Sequence, residues 1–141
     1  MNIKRDTYEQ IISAPVFHPP EVGGILGGHD NIIDTTFYDI GLSGCTKCSY
    51  IPNTPLINSV IYKWQLESIA FMGIYHTHFY NVTSLSPGDE QYAKAILSSM
   101  PKSIAYLFFP ILVIPQRELV CYIAKRDNES VFIRPDELKI I

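Results

Sequence analysis

The sequence predicts a single α/β domain in which helices flank a mixed β-sheet. Three observations carry that prediction. Segments with helical apolar spacing alternate with segments rich in β-branched and aromatic residues. One apolar segment, Ser68 to Tyr75, lacks the alternation of a half-solvated strand and reads as a strand covered on both faces. Finally, the 141 residues contain no linker, repeat or low-complexity block, so residues 1–141 form one domain of a size that buries roughly 68–70% of its unfolded surface.

Taken in order, Asp6 is a candidate cap for a first helix with Tyr8, Ile11 and Ile12 at i, i+3, i+4, ended by Pro15 and by Pro19-Pro20. "EVGGILGG" reads as a short strand from Glu21, with Gly27-Gly28 as a turn, and "NIIDTTFYDI" as the next strand. Gly41 to Pro55 is a loop. Thr54-Pro55 then pairs an N-cap with proline at the first helical position, and Ile57, Ile61 and Trp64 form one apolar face of the second helix. A central strand, "SIAFMGIY", follows. Ser86-Pro87 opens a third helix with Tyr92, Ala93, Ile96 and Leu97 on one side, ended by Pro101. The tail, "SIAYLFFPILVI", "ELVCYIAK" and "SVFI", reads as strands separated by turns at Pro115-Gln116 and Asp127-Asn128.

Charge and composition exclude several classes of function. Eleven Lys and Arg against fourteen Asp and Glu give a net charge of −3, with the basic residues scattered. No nucleic-acid partner is expected, because such binding neutralises several phosphates at once. The N-terminal "MNIKRDTYEQ" lacks the apolar core of a signal peptide, and the longest apolar run, Ile104 to Ile114, has eleven residues and includes Pro110. A membrane association is therefore not expected, and a cytoplasmic location is the default. Three cysteines, Cys45, Cys48 and Cys121, do not make a disulfide framework and fit a reducing compartment.

The chemistry concentrates in "GIYHTHFYNVTSLSPGDEQYA", Gly73 to Ala93. Strand residues two apart share a face with Cβ atoms roughly 6–7 Å apart. His76 and His78 can thus converge on one zinc ion, with Thr77 facing away. A third ligand must come from elsewhere, and Asp89 is the nearest candidate. Two histidines and a carboxylate leave the fourth tetrahedral position for a water that ionises near neutral pH. The same residues have ordinary readings: a half-buried histidine pair, and a capping box from Ser86 to Asp89 with Pro87 at N1. Both readings can hold together, since a helix N-terminus presents partial positive charge.

The pattern His-x-His, seven residues, Ser-x-x-Asp, with an upstream glutamate among small residues, resembles the JAMM (MPN-plus) metalloprotease family. It is carried by Glu21 in "PPEVGGILGG", His76 and His78 in "YHTHF", and Ser86 and Asp89 in "SPGDE". The stretch "YIPNTPLINSVIYKWQLESIAFMGIYHTH" is also similar to the family's loop, helix and central strand. The resemblance implies a cytidine-deaminase-like α/β fold. It further implies that His76, His78 and Asp89 bind Zn2+, that Glu21 is the general base and later proton donor, and that Ser86 stabilises the oxyanion. Phe79 stands where many members have proline, and the chain lacks the long insertions that grip ubiquitin in eukaryotic relatives. It is similar to the compact prokaryotic members. These imply hydrolysis of a peptide or isopeptide bond at the Gly-Gly tail of a ubiquitin-like or sulfur-carrier protein.

Other residues have plainer readings. Cys45 and Cys48 have C-x-x-C spacing but lack two further ligands for a structural zinc. His18 and His29 read as solvated loop residues. Trp64, Tyr106, Phe108 and Phe109 read as core or as a subunit contact, which leaves a homodimer open. Two alternatives compete with the peptidase: a non-catalytic module that binds a ubiquitin-like protein, and a zinc deaminase. The deaminase would need His or Cys followed two positions later by Glu, and the chain has no H-x-E.

Overall fold

A computed structural model describes residues 1–42 and 49–141; Cys45 and Cys48 lie outside the described residues. Its elements in order are β1 (Asn2–Ile3), α1 (Arg5–Ile12), β2 (Gly23–His29), β3 (Ile32–Asp39), α2 (Thr54–Leu66), β4 (Ala70–Phe79) and α3 (Pro87–Ser99). The tail supplies β5 (Tyr106–Phe108), β6 (Ile111–Ile114), β7 (Glu118–Val120), β8 (Tyr122–Asp127), β9 (Ser130–Pro135) and β10 (Lys139–Ile140). All join one mixed sheet, in the order β10-β1-β3-β2-β4-β5-β8-β9, with β6 between β4 and β7. The predicted α/β class with a single domain and a mixed sheet is what forms. No helix among the described residues is long and apolar enough to cross a membrane.

Several boundaries differ from the sequence expectations. Lys4, not Asp6, stands at the N-cap of α1, and Asp6 lies in its first turn. Gly27 and Gly28 are interior to β2, and the turn falls at Asp30 and Asn31, which take φ of 50° and 61°. Asn53 rather than Thr54 caps α2, its side chain accepting the Leu56 N–H at 3.4 Å. Pro110 divides the expected "SIAYLFFPILVI" strand into β5 and β6, because proline cannot donate to a ladder. His29 ends β2 instead of lying in a loop, and its ring pairs with Asp34 at 2.8 Å. The short strands β1 and β10 have no periodic signal at two residues each and form by pairing, β1 with β3 on one side and with β10 on the other.

The sheet separates two apolar layers. On one face α1 covers Ile3, Leu26, Ile33, Tyr75, Leu112 and Ile123. On the other, α2 and α3 cover Ile25, Trp64, Ile74, Leu97, Leu107 and Ala124. Trp64, Phe108 and Phe109 are therefore core, which resolves their earlier ambiguity in favour of packing. β4 runs between the layers, paired antiparallel with β2 and parallel with β5 and β6, so both its faces are buried as its unbroken apolar pattern predicts.

β4 contains a bulge that matters to everything after it. Leu26 pairs with Gly73, but Gly27 pairs with Phe71, which leaves Met72 as the extra residue. Phe71 and Ile74 consequently pack on the α2 and α3 face, while Met72 and Tyr75 pack on the α1 face. Continued alternation directs His76 and His78 to the α3 side and Thr77 to the α1 side. Gly73 is the residue that permits this: its φ is +154°, and a Cβ there would run into the Phe108 carbonyl on the paired strand. Gly73→Ala is expected to lower unfolding free energy by about 2–4 kcal/mol in a urea titration, through strain and overpacking together. An unchanged midpoint would show that the close approach to Phe108 does not hold the bulge.

Candidate metal centre

Two strand ends and one helix start meet at the site. His76 and His78 lie near the C-terminal end of β4, on the face chosen by the bulge. Glu21 stands two residues before the start of β2. It is drawn beside the histidines because Thr77, fully buried, grips the next residue: its backbone N–H donates to the Val22 carbonyl at 2.8 Å, and its Oγ1 accepts the Val22 N–H at 2.9 Å. Asp89 arrives from the first turn of α3. There Ser86 Oγ accepts the Asp89 N–H at 3.1 Å and Asp89 Oδ2 accepts the Ser86 N–H at 2.8 Å, the reciprocal capping box that the spacing predicts.

The result is a tight set of donor atoms. Nε2 of His76 and Nε2 of His78 are 2.9 Å apart, and Asp89 Oδ2 lies 3.4 Å from the first and 3.2 Å from the second. Ligand atoms of Glu21, His76 and His78 all fall within 4.8 Å of one another, so these residues could hold a metal ion. Three tetrahedral bonds of about 2.0–2.1 Å would place their donors about 3.3 Å apart, so the His76, His78 and Asp89 atoms fit such a centre. The His78 ring is also oriented for it: its Nδ1 lies 3.3 Å from the Val82 carbonyl, and donating there leaves the Nε2 lone pair for a cation.

Electrostatics point the same way. Burial raises the Glu21 pKa above its ordinary value, an effect the charges of His76 and His78 and the Tyr50 N–H oppose without overcoming. Burial also works against ionisation of Asp89, but hydrogen bonds from both imidazoles and their charge outweigh it and hold that carboxyl well below the usual range. For His78, burial disfavours the charged ring, yet the hydrogen bond to Asp89 and the charge of Glu21 raise its pKa. Two carboxylates and two imidazoles packed this closely form a pocket of negative potential that a cation would satisfy.

The five residues singled out in the sequence, Glu21, His76, His78, Ser86 and Asp89, all line this site. Three others escaped notice. Asp39, buried at the end of β3, accepts bonds from the Tyr50 hydroxyl at 2.6 Å, the Asn53 N–H at 2.9 Å and the Gly41 N–H at 3.0 Å. Tyr50 in turn offers its backbone N–H to Glu21 Oε2 at 3.3 Å. Its ring lies over β2 where Gly23 has no Cβ to obstruct it, since an added Cβ would stand 2.6 Å from that ring. Thr77 is the third. An acidic residue at the end of an apolar strand was the only available signal for Asp39, and Thr77 had none beyond its place between the histidines.

The cluster sits between two clefts that share Glu21, Ser49, Ser86 and Asp89. The His76 side opens into a cavity of about 290 Å³ walled by Tyr50, Pro52, Ile74, Leu85, Tyr92 and Phe109. The His78 side is wider, about 420 Å³, and is bounded by Pro19, Phe79, Tyr80 and Val82.

Comparison with solved structures identifies the architecture. The fold is similar to the solution structure of protein DSY2949 from Desulfitobacterium hafniense, with a TM-score of 0.62 and 17% identity over 99% of this chain and 93% of that one. It is also similar to the crystal structure of AF2198, a JAB1/MPN domain protein from Archaeoglobus fulgidus, with a TM-score of 0.57 and 17% identity over 100% of this chain and 99% of that one. No family model matches the sequence, and no curated protein matches it. The chain has an MPN-like fold, and at this identity the likeness extends to the fold alone.

Two measurements test the site. Thr77→Val leaves the buried Val22 N–H without its partner and is expected to cost about 1–3 kcal/mol of stability; an equal melting temperature would remove Thr77 from the support of Glu21. The second concerns pH. Because folding raises the His78 pKa, its contribution is complete below the unfolded value of about 6.5 and is lost as pH rises through the folded value. Metal-free protein should therefore lose melting temperature more steeply than Asp89→Asn as pH rises above about 6.5, since that variant lacks the carboxylate responsible. Parallel pH profiles would contradict the coupling.

Proposed function

We propose that the protein is a zinc-dependent peptidase or isopeptidase that hydrolyses a bond at the C-terminal Gly-Gly tail of a ubiquitin-like or sulfur-carrier protein. The convergence of His76, His78 and Asp89, with donor atoms 2.9 to 3.4 Å apart and Glu21 alongside, is the observation that carries this reading. The JAMM-type spacing of the five residues supports it, as does the likeness of the fold to that of a JAB1/MPN domain protein.

In this reading His76, His78 and Asp89 hold the zinc and Glu21 is left free of the metal. The bound ion would supply a water of lowered pKa and Lewis acidity toward the scissile carbonyl. Glu21 takes a proton at its carboxylate and returns it to the departing amine. The burial that raises its pKa brings it closer to the neutral range where a base is most effective. The Tyr50 N–H donates to that carboxylate at 3.3 Å and orients it. Ser86 Oγ accepts in the helix cap, so its own hydrogen is available to the substrate oxygen as negative charge develops there. No covalent enzyme intermediate is required.

Zinc-loaded protein should carry one ion per chain and cleave a carrier fused through its Gly-Gly tail. Glu21→Gln should retain the metal while losing hydrolysis by about 10²–10⁴-fold, and His76→Ala should lose the metal. A zinc-replete protein that binds Gly-Gly-tailed carriers but leaves them intact by mass spectrometry would favour a non-catalytic binding module instead.

A further inference from the structure

We propose that β9 is an interaction surface at which a second copy of this chain joins edge to edge, antiparallel about a two-fold axis through Phe132, so that the two sheets become one. The pairing lies away from the metal centre and does not depend on the peptidase reading.

Among the described residues the sheet ends at β7, β9 and β10, and β9, with six residues, is the longest of the three. An edge strand presents backbone donors and acceptors to any strand that can align with them. Pairing with β8 decides which groups of β9 these are. Asp136 donates its N–H to the Cys121 carbonyl at 3.0 Å, in line with the register that pairs Tyr122 with Pro135 and Asp127 with Ser130. Hydrogen-bonded pairs alternate along an antiparallel ladder, so Ser130, Phe132 and Arg134 bond to β8 while Val131 and Ile133 turn their N–H and C=O groups outward. The opposite edge of β8 has the matching phase: the Tyr122 carbonyl accepts the Phe109 N–H at 2.8 Å, and Arg126 donates to the Ala105 carbonyl at 2.9 Å, both on the β5 side.

Those two outward residues fix how a second copy can align. Val131 opposite Ile133 of the second copy, and Ile133 opposite its Val131, each form a pair that exchanges both backbone bonds. A shift toward the C-terminus would call on an N–H that Pro135 does not have, and a shift the other way would call on Glu129, which lies in the hairpin turn. The register is self-complementary, as an isologous interface requires.

The side chains agree with it. Val131 and Ile133 pack with the layer under α2 and α3, so Phe132 points to the other face, where it is 41% exposed. In this register Phe132 meets its own counterpart across the axis in a non-hydrogen-bonded pair, with Cβ atoms about 4.5–5.5 Å apart, a favourable arrangement for two aromatic rings. Arg134 is the one charged residue of β9. It falls opposite Ser130 of the second copy and next to that copy's Glu129, and about 13 Å along the strands from the other Arg134. Opposite charges are neighbours and like charges are apart. β5 and β8 separate β9 from β4, and no β9 residue lines either cleft beside the metal cluster, so both clefts stay open in the pair.

Sedimentation of the full chain should show the mass rising from one chain to two as concentration passes through the order of 10–100 μM, as suits an interface at the small end of the specific range. Phe132→Lys sets two ammonium groups face to face across the axis and should weaken the association about tenfold or more. Its melting temperature in dilute solution should match that of the parent, because the side chain is exposed. Amide exchange locates the contact: the Val131 and Ile133 amides should slow as concentration rises, whereas those of Phe132 and Arg134, already bonded to β8, should not change. A mass of one chain at every soluble concentration, a dimer unaffected by Phe132→Lys, or concentration-dependent protection confined to other elements would overturn the proposal. Slowing of the Val131 and Ile133 amides by an added strand-forming peptide but not by the chain itself would also overturn it, and would assign the edge to a foreign strand.

Discussion

The bulge at Met72 and Gly73 decides which face of the sheet carries the chemistry. Because side chains alternate along a strand, one extra residue exchanges the faces for everything downstream. The exchange puts His76 and His78 on the side from which α3 brings Asp89, and turns Thr77 toward Val22. The bulge survives because Gly73 lets the Phe108 carbonyl come closer than any side chain would allow. Slippage of β4 is then expensive, since it would turn the imidazoles toward the apolar layer that packs on Tyr75 and Phe79.

Around that strand, each group that could ligate or react is held by a backbone contact or a buried polar partner. Thr77 fixes the residue after Glu21, and Tyr50 holds the Glu21 carboxylate itself. Asp39 ties Tyr50 and Asn53 to the end of β3, and so connects the start of α2 to the same site. Ser86 and Asp89 satisfy the orphan donors of α3 while presenting Oδ2 to the histidines. The capping reading and the ligand reading of these two residues are thus compatible, because the carboxylate of a cap has lone pairs to spare. Donor atoms that would repel one another in isolation are pressed together by contacts made elsewhere, the usual condition for a preorganised cation site.

The two sides of the cluster are built from different material. The His76 side combines Tyr92 of α3 and Ile74 of β4 with Phe109, between β5 and β6, and with Tyr50 and Pro52 of the segment before α2. Turns make the His78 side, where Tyr80 and Asn81 take φ of 58° and 62° directly after β4 and the Pro19 segment lies opposite.

Glu21 came only with the family resemblance, but local pattern in the sequence was enough to determine the α/β class, the doubly covered central strand, the capped start of α3 and the site residues His76, His78, Ser86 and Asp89. Each follows from spacing within a few residues: alternation places two histidines together, and Ser-x-x-Asp specifies a capping box wherever the helix lies. Strand boundaries and the support of the site depended on tertiary structure. Gly27 and Gly28 resemble a turn in sequence, but the ladder with β3 and β4 carries them through the strand. β1 and β10 are too short for any period and exist only through pairing, β1 with β3 and with β10, and β10 with β1. Asp39, Tyr50 and Thr77 act through partners 11 to 55 residues away, and no local pattern encodes a hydrogen bond of that span. The same holds for the bulge, since an unpaired residue is defined only by the strands on either side of it.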